Sequence, residues 1–329
     1  MIKSILKITL TLVILIVFAL FTYTFLFWDK DYSSEFPVDE DLIVNIDSSA
    51  IARGKHLVYG PAHCAHCHSP FDMQTALERG AEVPLTGGFG MEIEPGIYYA
   101  PNITMDKESG IGSKSDGQLY RALRHNVMTN GSPTIEFMPF VNMSDEDIFS
   151  IIAYLRTTDP LATTAPETKL NTLGKSLYAF GVIEPQQEIK HLEKSIKKEA
   201  SIEYGKYLAE AVANCRGCHT TRDYKTGEYI GEYYAGGQIF GPHNLTQGWT
   251  FISPNLTPDP ETGTLKDFTE EKFVERMKMG RVHALSPMPW AAFARMDETE
   301  IKAIYKYLNS LAPVKNKVKI IAIPPKDIF

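Results

Sequence analysis

Only four cysteines occur among the 329 residues, too few to staple a small disulfide scaffold. Basic residues are in the minority, with 33 Lys and Arg against 40 Asp and Glu and a net charge of −7 at pH 7. A nucleic-acid binder needs a basic stripe to neutralise phosphates, so that class is excluded. The 23 glycines and 20 prolines follow no collagen-like period, and no strand-rich region of useful length is visible. Apolar residues at 44% and charged residues at 22% are ordinary globular usage, which excludes wholesale disorder. The length allows about two globular domains.

Charge is absent altogether from one stretch, the 21 residues from Ile8 to Trp28. A helix needs about 20 apolar residues to cross a bilayer core. A secretory signal would carry an apolar run of about 7–15 residues ending at small side chains. This run ends Phe25-Leu26-Phe27-Trp28-Asp29, so residues 1–31 read as an uncleaved membrane anchor. Lys3 and Lys7 precede the span and acids follow it, which places the N-terminus in the cytoplasm. In a bacterium the remainder then lies in the periplasm, on a single-pass inner-membrane protein.

The rest of the chain repeats itself. Gly54-Lys55-His56-Leu57 begins ten residues before Cys64-Ala65-His66-Cys67-His68, and Gly205-Lys206-Tyr207-Leu208 begins ten before Cys215-Arg216-Gly217-Cys218-His219. Gly87-Gly88 matches Gly236-Gly237, and Pro101-Asn102-Ile103-Thr104 matches Pro254-Asn255-Leu256-Thr257. Met138-Pro139-Phe140 and Met288-Pro289-Trp290 follow in the same order. Each unit closes on an amphipathic helix. Ser144 can cap the first, with Ile148, Ile151, Ile152 and Leu155 on one face. Asp297 and Glu300 open the second, with Ile301, Ile304, Tyr305 and Leu308. The expected fold class is all-α: two tandem domains, 45–160 and 198–316, after the anchor. A linker over 161–197 joins them, and a tail occupies 317–329. The Asn-x-Thr strings at Asn102, Asn244 and Asn255 read as structural loop turns.

All four cysteines fall in the two Cys-x-x-Cys-His strings. On a helical turn, positions i, i+3 and i+4 share a face. Two thiols can add to the vinyl groups of a haem while the next imidazole reaches its iron, and the string is the signature of c-type attachment. A zinc ribbon would need its pairs about 15–20 residues apart, and a thioredoxin-like pair would need a strand–helix setting. The haem reading makes Cys64, Cys67, Cys215 and Cys218 the attachment residues of two covalently bound haem c groups, with His68 and His219 as proximal ligands.

Methionine favours reduced iron and suits an electron carrier. Met138 lies 74 residues after Cys64 and Met288 lies 73 after Cys215, each before Pro and an aromatic residue. These are the candidate distal ligands, with His125 and His283 as rivals that would give bis-His haems. Each proximal imidazole is expected to donate its other N–H to a backbone carbonyl. Met143 and Met296 read as packing against the closing helices, and His63 and His66 as surface residues.

Each unit resembles a class I cytochrome c domain on these strings. The pairing behind an anchor is similar to the membrane-anchored cytochrome c subunits of periplasmic alcohol and gluconate dehydrogenases. The resemblance implies a di-haem cytochrome passing single electrons from a dehydrogenase to a respiratory oxidase or cytochrome. It also implies that the first and last helices of each unit cross at a glycine, pairing Gly54 with Tyr154 and Gly205 with Tyr307. Those subunits usually carry three haem motifs, whereas this chain has two. A catalytic alternative, a di-haem peroxidase or sulfur-compound dehydrogenase, would need one iron with an open or unusually ligated face.

Overall fold

The computed structural model describes residues 2–187, 194–223, 227–242, 246–283, 285–319 and 321–325. Asn244, part of the expected linker (188–193) and part of the tail (320 and 326–329) lie outside the described residues. The chain opens with α1, Ile2–Phe27, whose apolar window has a mean hydropathy of 2.6. It is long and apolar enough to cross a membrane, a property that N-terminal signal sequences share.

The first half contains α2 (Ser48–Tyr59), α3 (Cys64–His68), α4 (Gln74–Glu78), α5 (Asp116–His125) and α6 (Asp145–Leu155). Their starts are set by local chemistry. Asp47 caps α2 by accepting from the Ser49 and Ala50 amides, Ser115 and Gln118 form a capping box on α5, and Ser144 caps α6. After α7 (Thr172–Ala179), the second half runs α8 (Ile202–Tyr207), α9 (Cys215–Cys218), α10 (Glu270–Lys278), α11 (Trp290–Ala294) and α12 (Glu298–Ser310). Asp297 and Glu300 make the capping box that the sequence suggested for α12.

The molecule is mostly helical but not wholly so. Strands β1 (Gly90–Ile93) and β2 (Gly96–Tyr99) form a hairpin, and β3 (Lys169–Leu170) adds to β2. Strands β4 (Ile239–Phe240), β5 (Thr250–Ile252) and β6 (Ala322–Ile323) form a second antiparallel sheet of the same order. The all-helical expectation missed them because strands of two to four residues leave no readable alternation. The third strand of each sheet also comes from far along the chain.

In each half the opening helix crosses the closing one at a glycine. A Cβ on Gly54 would sit 1.8 Å from the Ser150 carbonyl oxygen and 2.7 Å from Tyr154 Cβ. On Gly205 it would sit 1.9 Å from the Ala303 oxygen and 2.8 Å from Tyr307 Cβ. One continuous apolar core fills both halves, taking Leu57, Ile148 and Ile152 from the first and Leu208, Ile301 and Ile304 from the second. Met143 and Met296 are fully buried in it, as expected.

Across the seam between the halves runs a charged network. Arg53 on α2 donates from Nε and Nη2 to Asp147 at 2.8 and 2.9 Å, and from Nη1 to Glu300 at 2.9 Å. His56 Nε2 lies 2.7 Å from the other Glu300 oxygen, and the Tyr207 hydroxyl donates to Asp147 at 2.8 Å. Asp147 and Glu300 are both 1% exposed and hold the same place, three residues after the caps Ser144 and Asp297.

Candidate functional site

A residue with left-handed backbone precedes each cysteine helix: His63 at φ 43° before α3 and Asn214 at φ 52° before α9. Asn is well suited to that conformation and also caps α9 through the Gly217 amide. The turn delivers Cys64, Cys67 and His68 together on α3. It likewise delivers Cys215 and Cys218 on α9, with His219 at its end, where the His219 amide donates to the Cys215 oxygen at 2.9 Å.

Both histidines are oriented alike. His68 Nδ1 lies 2.8 Å from the Pro101 oxygen, and His219 Nδ1 lies 3.0 Å from the Pro254 oxygen. A carbonyl only accepts, so Nδ1 carries the proton and Nε2 keeps a free lone pair. Burial pushes both imidazoles below the ordinary histidine value, which favours the neutral, ligating form. Burial also pushes the Cys64 and Cys215 thiols up to about 12 and Cys67 up to about 11. The uncombined thiols therefore hold their protons at neutral pH.

A glycine runs close against each of these prolines. The Gly87 amide donates to the His68 oxygen at 2.9 Å, and the Gly236 amide to the His219 oxygen at 2.8 Å. Gly87 and Gly236 sit at φ 70° and 72°, and a Cβ on either would lie within 2.6 Å of the backbone at Pro101 or Pro254. Next to the prolines, Asn102 Oδ1 accepts from the Thr104 amide at 2.9 Å, and its Nδ2 donates to the Leu161 oxygen at 2.8 Å. Asn255 repeats this with Thr257 at 2.9 Å and Val314 at 2.8 Å. The sequence marked these strings as repeated. Their role as clamps emerges only with their partners, 59 residues further on in both cases.

Cys64, Met138, Cys215 and Met288 are each half-buried at the edge of the apolar core. The Met138 loop is held by Asn126, whose Nδ2 donates to the Met138 oxygen at 3.1 Å. Fully buried Arg124 donates to the Val141 and Met143 oxygens at 2.8 and 2.6 Å, fixing the exit of that loop. Lys278 plays the matching part in the second half, donating to the Ala294 and Met296 oxygens. The two other candidate histidines have surroundings of different kinds. His125 Nδ1 bonds to the Gln186 oxygen beside Phe36, and exposed His283 lies against Trp249 and Phe251.

His63 and His66 do not lie free on the surface, contrary to expectation. The His63 ring meets Phe293 edge-on at 5.8 Å, and His66 Nε2 lies 3.1 Å from Glu78, which pairs with Arg281 at 2.9 Å. The first cysteine turn thus packs against the second half, and these polar groups bridge the contact.

The cytochrome c family matches residues 51–159. Over 274 residues the chain is 27% identical to the fructose dehydrogenase cytochrome subunit of Gluconobacter japonicus, covering 80% of this chain and 52% of that protein. It is 26% identical to the gluconate 2-dehydrogenase cytochrome c subunit of Pantoea cypripedii, covering 80% and 60%. To a diheme cytochrome c-type protein of Cereibacter sphaeroides it is 25% identical, covering 71% and 77%. The chain spans only about half to three-fifths of the length of the first two relatives. Over residues 51–159, which hold the first cysteine turn, the glycine crossing and the Met138 loop, the chain carries a cytochrome c domain.

Proposed function

We propose that the chain is a membrane-anchored di-haem cytochrome c with domains at 45–160 and 198–316, which passes single electrons from a dehydrogenase to a respiratory acceptor. The observation that carries this reading is the recurrence around His219 of every bond that orients His68. The same carbonyl fixes the imidazole, the same glycine fixes the carbonyl's approach, and the same asparagine clamps the strand beside it. The parallel supports the same use for both Nε2 atoms.

The donors fit the group that a cytochrome c domain implies. Cys64 and Cys67, and Cys215 and Cys218, would form the thioether bonds, His68 and His219 the proximal contacts, and Met138 and Met288 the distal ones. A haem c so held supplies a one-electron iron couple of the raised potential that Met/His ligation gives. The protein's own part is to hold ring and thioether fixed and to keep water out with the apolar core, so that little rearranges as charge changes. The relatives' names support a donor that oxidises a sugar or a sugar acid. We read α1 as a retained anchor because one face near its end meets α7, with Thr24 3% exposed and 3.3 Å from Ser176 Oγ, and we place the domains in the periplasm from Lys3 and Lys7 ahead of the span.

Pyridine haemochrome assay of the purified chain should return two haems, and one after Cys215→Ser with Cys218→Ser. A single haem in the unaltered chain overturns the di-haem reading. Reduced protein should not bind carbon monoxide, and Met288→Ala should open one site to it. Stoichiometric binding by the unaltered protein would instead indicate an open iron and a catalytic role.

A further inference from the structure

We propose that α7 and the turn after it form a second membrane contact, seated in the interfacial layer of the bilayer beside the end of α1. This rests on the reading of α1 as a retained span. Along α7, Gly174, Tyr178 and Ala179 face inward, while Leu173, Phe180 and Val182 remain 43%, 50% and 43% exposed. The outward apolar face continues directly onto α1. The Phe180 ring lies 5.0 Å from Tyr23, and Leu26 and Phe27 beside it are 70% and 52% exposed.

Depth follows from helix geometry. Tyr23 precedes Trp28 by five residues, which at a rise of 1.5 Å per residue is about 7.5 Å along the helix. The Phe180 ring, 5.0 Å from that of Tyr23, thus lies beside a turn of α1 at a depth within the range of about 5–10 Å to which interfacial helices sink. Lys175 suits the same layer. Its ammonium lies over the rings of Phe25 and Trp28, 4.9 and 4.7 Å from their centroids. There an apolar stem with a cationic tip meets lipid phosphates.

The contact fixes more than α7. Asn171, the cap of α7, donates from Nδ2 to the Glu94 oxygen at 2.7 Å, and a Cβ on Gly174 would lie 2.3 Å from the Pro95 oxygen. Both carbonyls belong to the β1–β2 turn, and β2 leads straight to Pro101, whose carbonyl holds His68. A lipid-seated α7 would thereby set the orientation of the first cysteine turn to the membrane plane.

The test uses the full haem-loaded chain in vesicles of phosphatidylcholine and phosphatidylglycerol, with nitroxide labels at Phe180→Cys, Val182→Cys, Phe18→Cys and Glu261→Cys in turn. The unsubstituted chain supplies the blank. Collision with oxygen should dominate over a water-soluble nickel chelate at 18, 180 and 182, with the reverse at exposed 261. Chelate-dominated labels at 180 and 182 with an oxygen-rich label at 18 would refute the second contact and leave the anchor standing. A label at 18 that behaves like the one at 261 would refute both.

Discussion

Asn102 and Asn255 each join two distant stretches of backbone through one side chain, at 2% and 1% exposure. Removing the amide leaves buried carbonyls and an amide N–H without partners, and each such orphan costs about 1–3 kcal/mol. Asn102→Ala and Asn255→Ala should each lower stability by about 3 kcal/mol, read as a shift of the denaturant midpoint at constant slope. Asn102→Ala should also free the Pro101 carbonyl and broaden the ring signals of His68 in NMR spectra, whereas Asn255→Ala should spare His68 and affect His219. The importance of these residues was legible from their repetition, but what they hold was not. Their partners lie beyond the closing helices, Leu161 at the start of the expected linker and Val314 at the end of the expected second domain, where no pattern marks them.

Helix crossings carry the architecture at the next scale. The contacts at Gly54 and Gly205 are with backbone carbonyls of the facing helix, which cannot rotate away as a flexible side chain would. Gly54→Ala or Gly205→Ala must push α6 or α12 outward, at a cost of about 3 kcal/mol or more. Thermal melts should place both variants well below the parent, with α2–α6 or α8–α12 amides exchanging faster. Caps, amphipathic stripes and the cysteine turns were readable because each is written in residues a few positions apart. The two small sheets were not, since their strands are too brief for a pattern and the third strand of each pairs from far along the chain.

For the whole molecule the decisive feature is the seam. Arg53 reaches Asp147 across 94 positions and Glu300 across 247, a link that no local pattern announces. Burial alone would raise Glu300, but the His56 hydrogen bond and charge, with those of Arg53, outweigh it and bring it down to about 2. Glu78 is likewise brought down to about 2 against its burial, by His66 and Arg281. A depressed carboxylate stabilises fully above its unfolded value and loses that contribution as pH falls through the folded one. Stability should therefore drop between about pH 4.5 and 2, by up to about 3 kcal/mol from Glu300. Glu300→Gln should flatten that part of the curve when melting temperature is followed against pH. Arg53→Met, which removes the guanidinium shared by two buried carboxylates, should cost about 3–5 kcal/mol at neutral pH.

The seam also bears on how the halves find each other. Were the two to dock one helical turn out of step, Arg53 would miss Glu300 and leave its buried carboxylate without a cation. Greasy surfaces alone tolerate such slippage. Here one guanidinium spanning two acids makes misaligned assemblies fall apart, so a single spacing between the cysteine turns is selected as the protein forms.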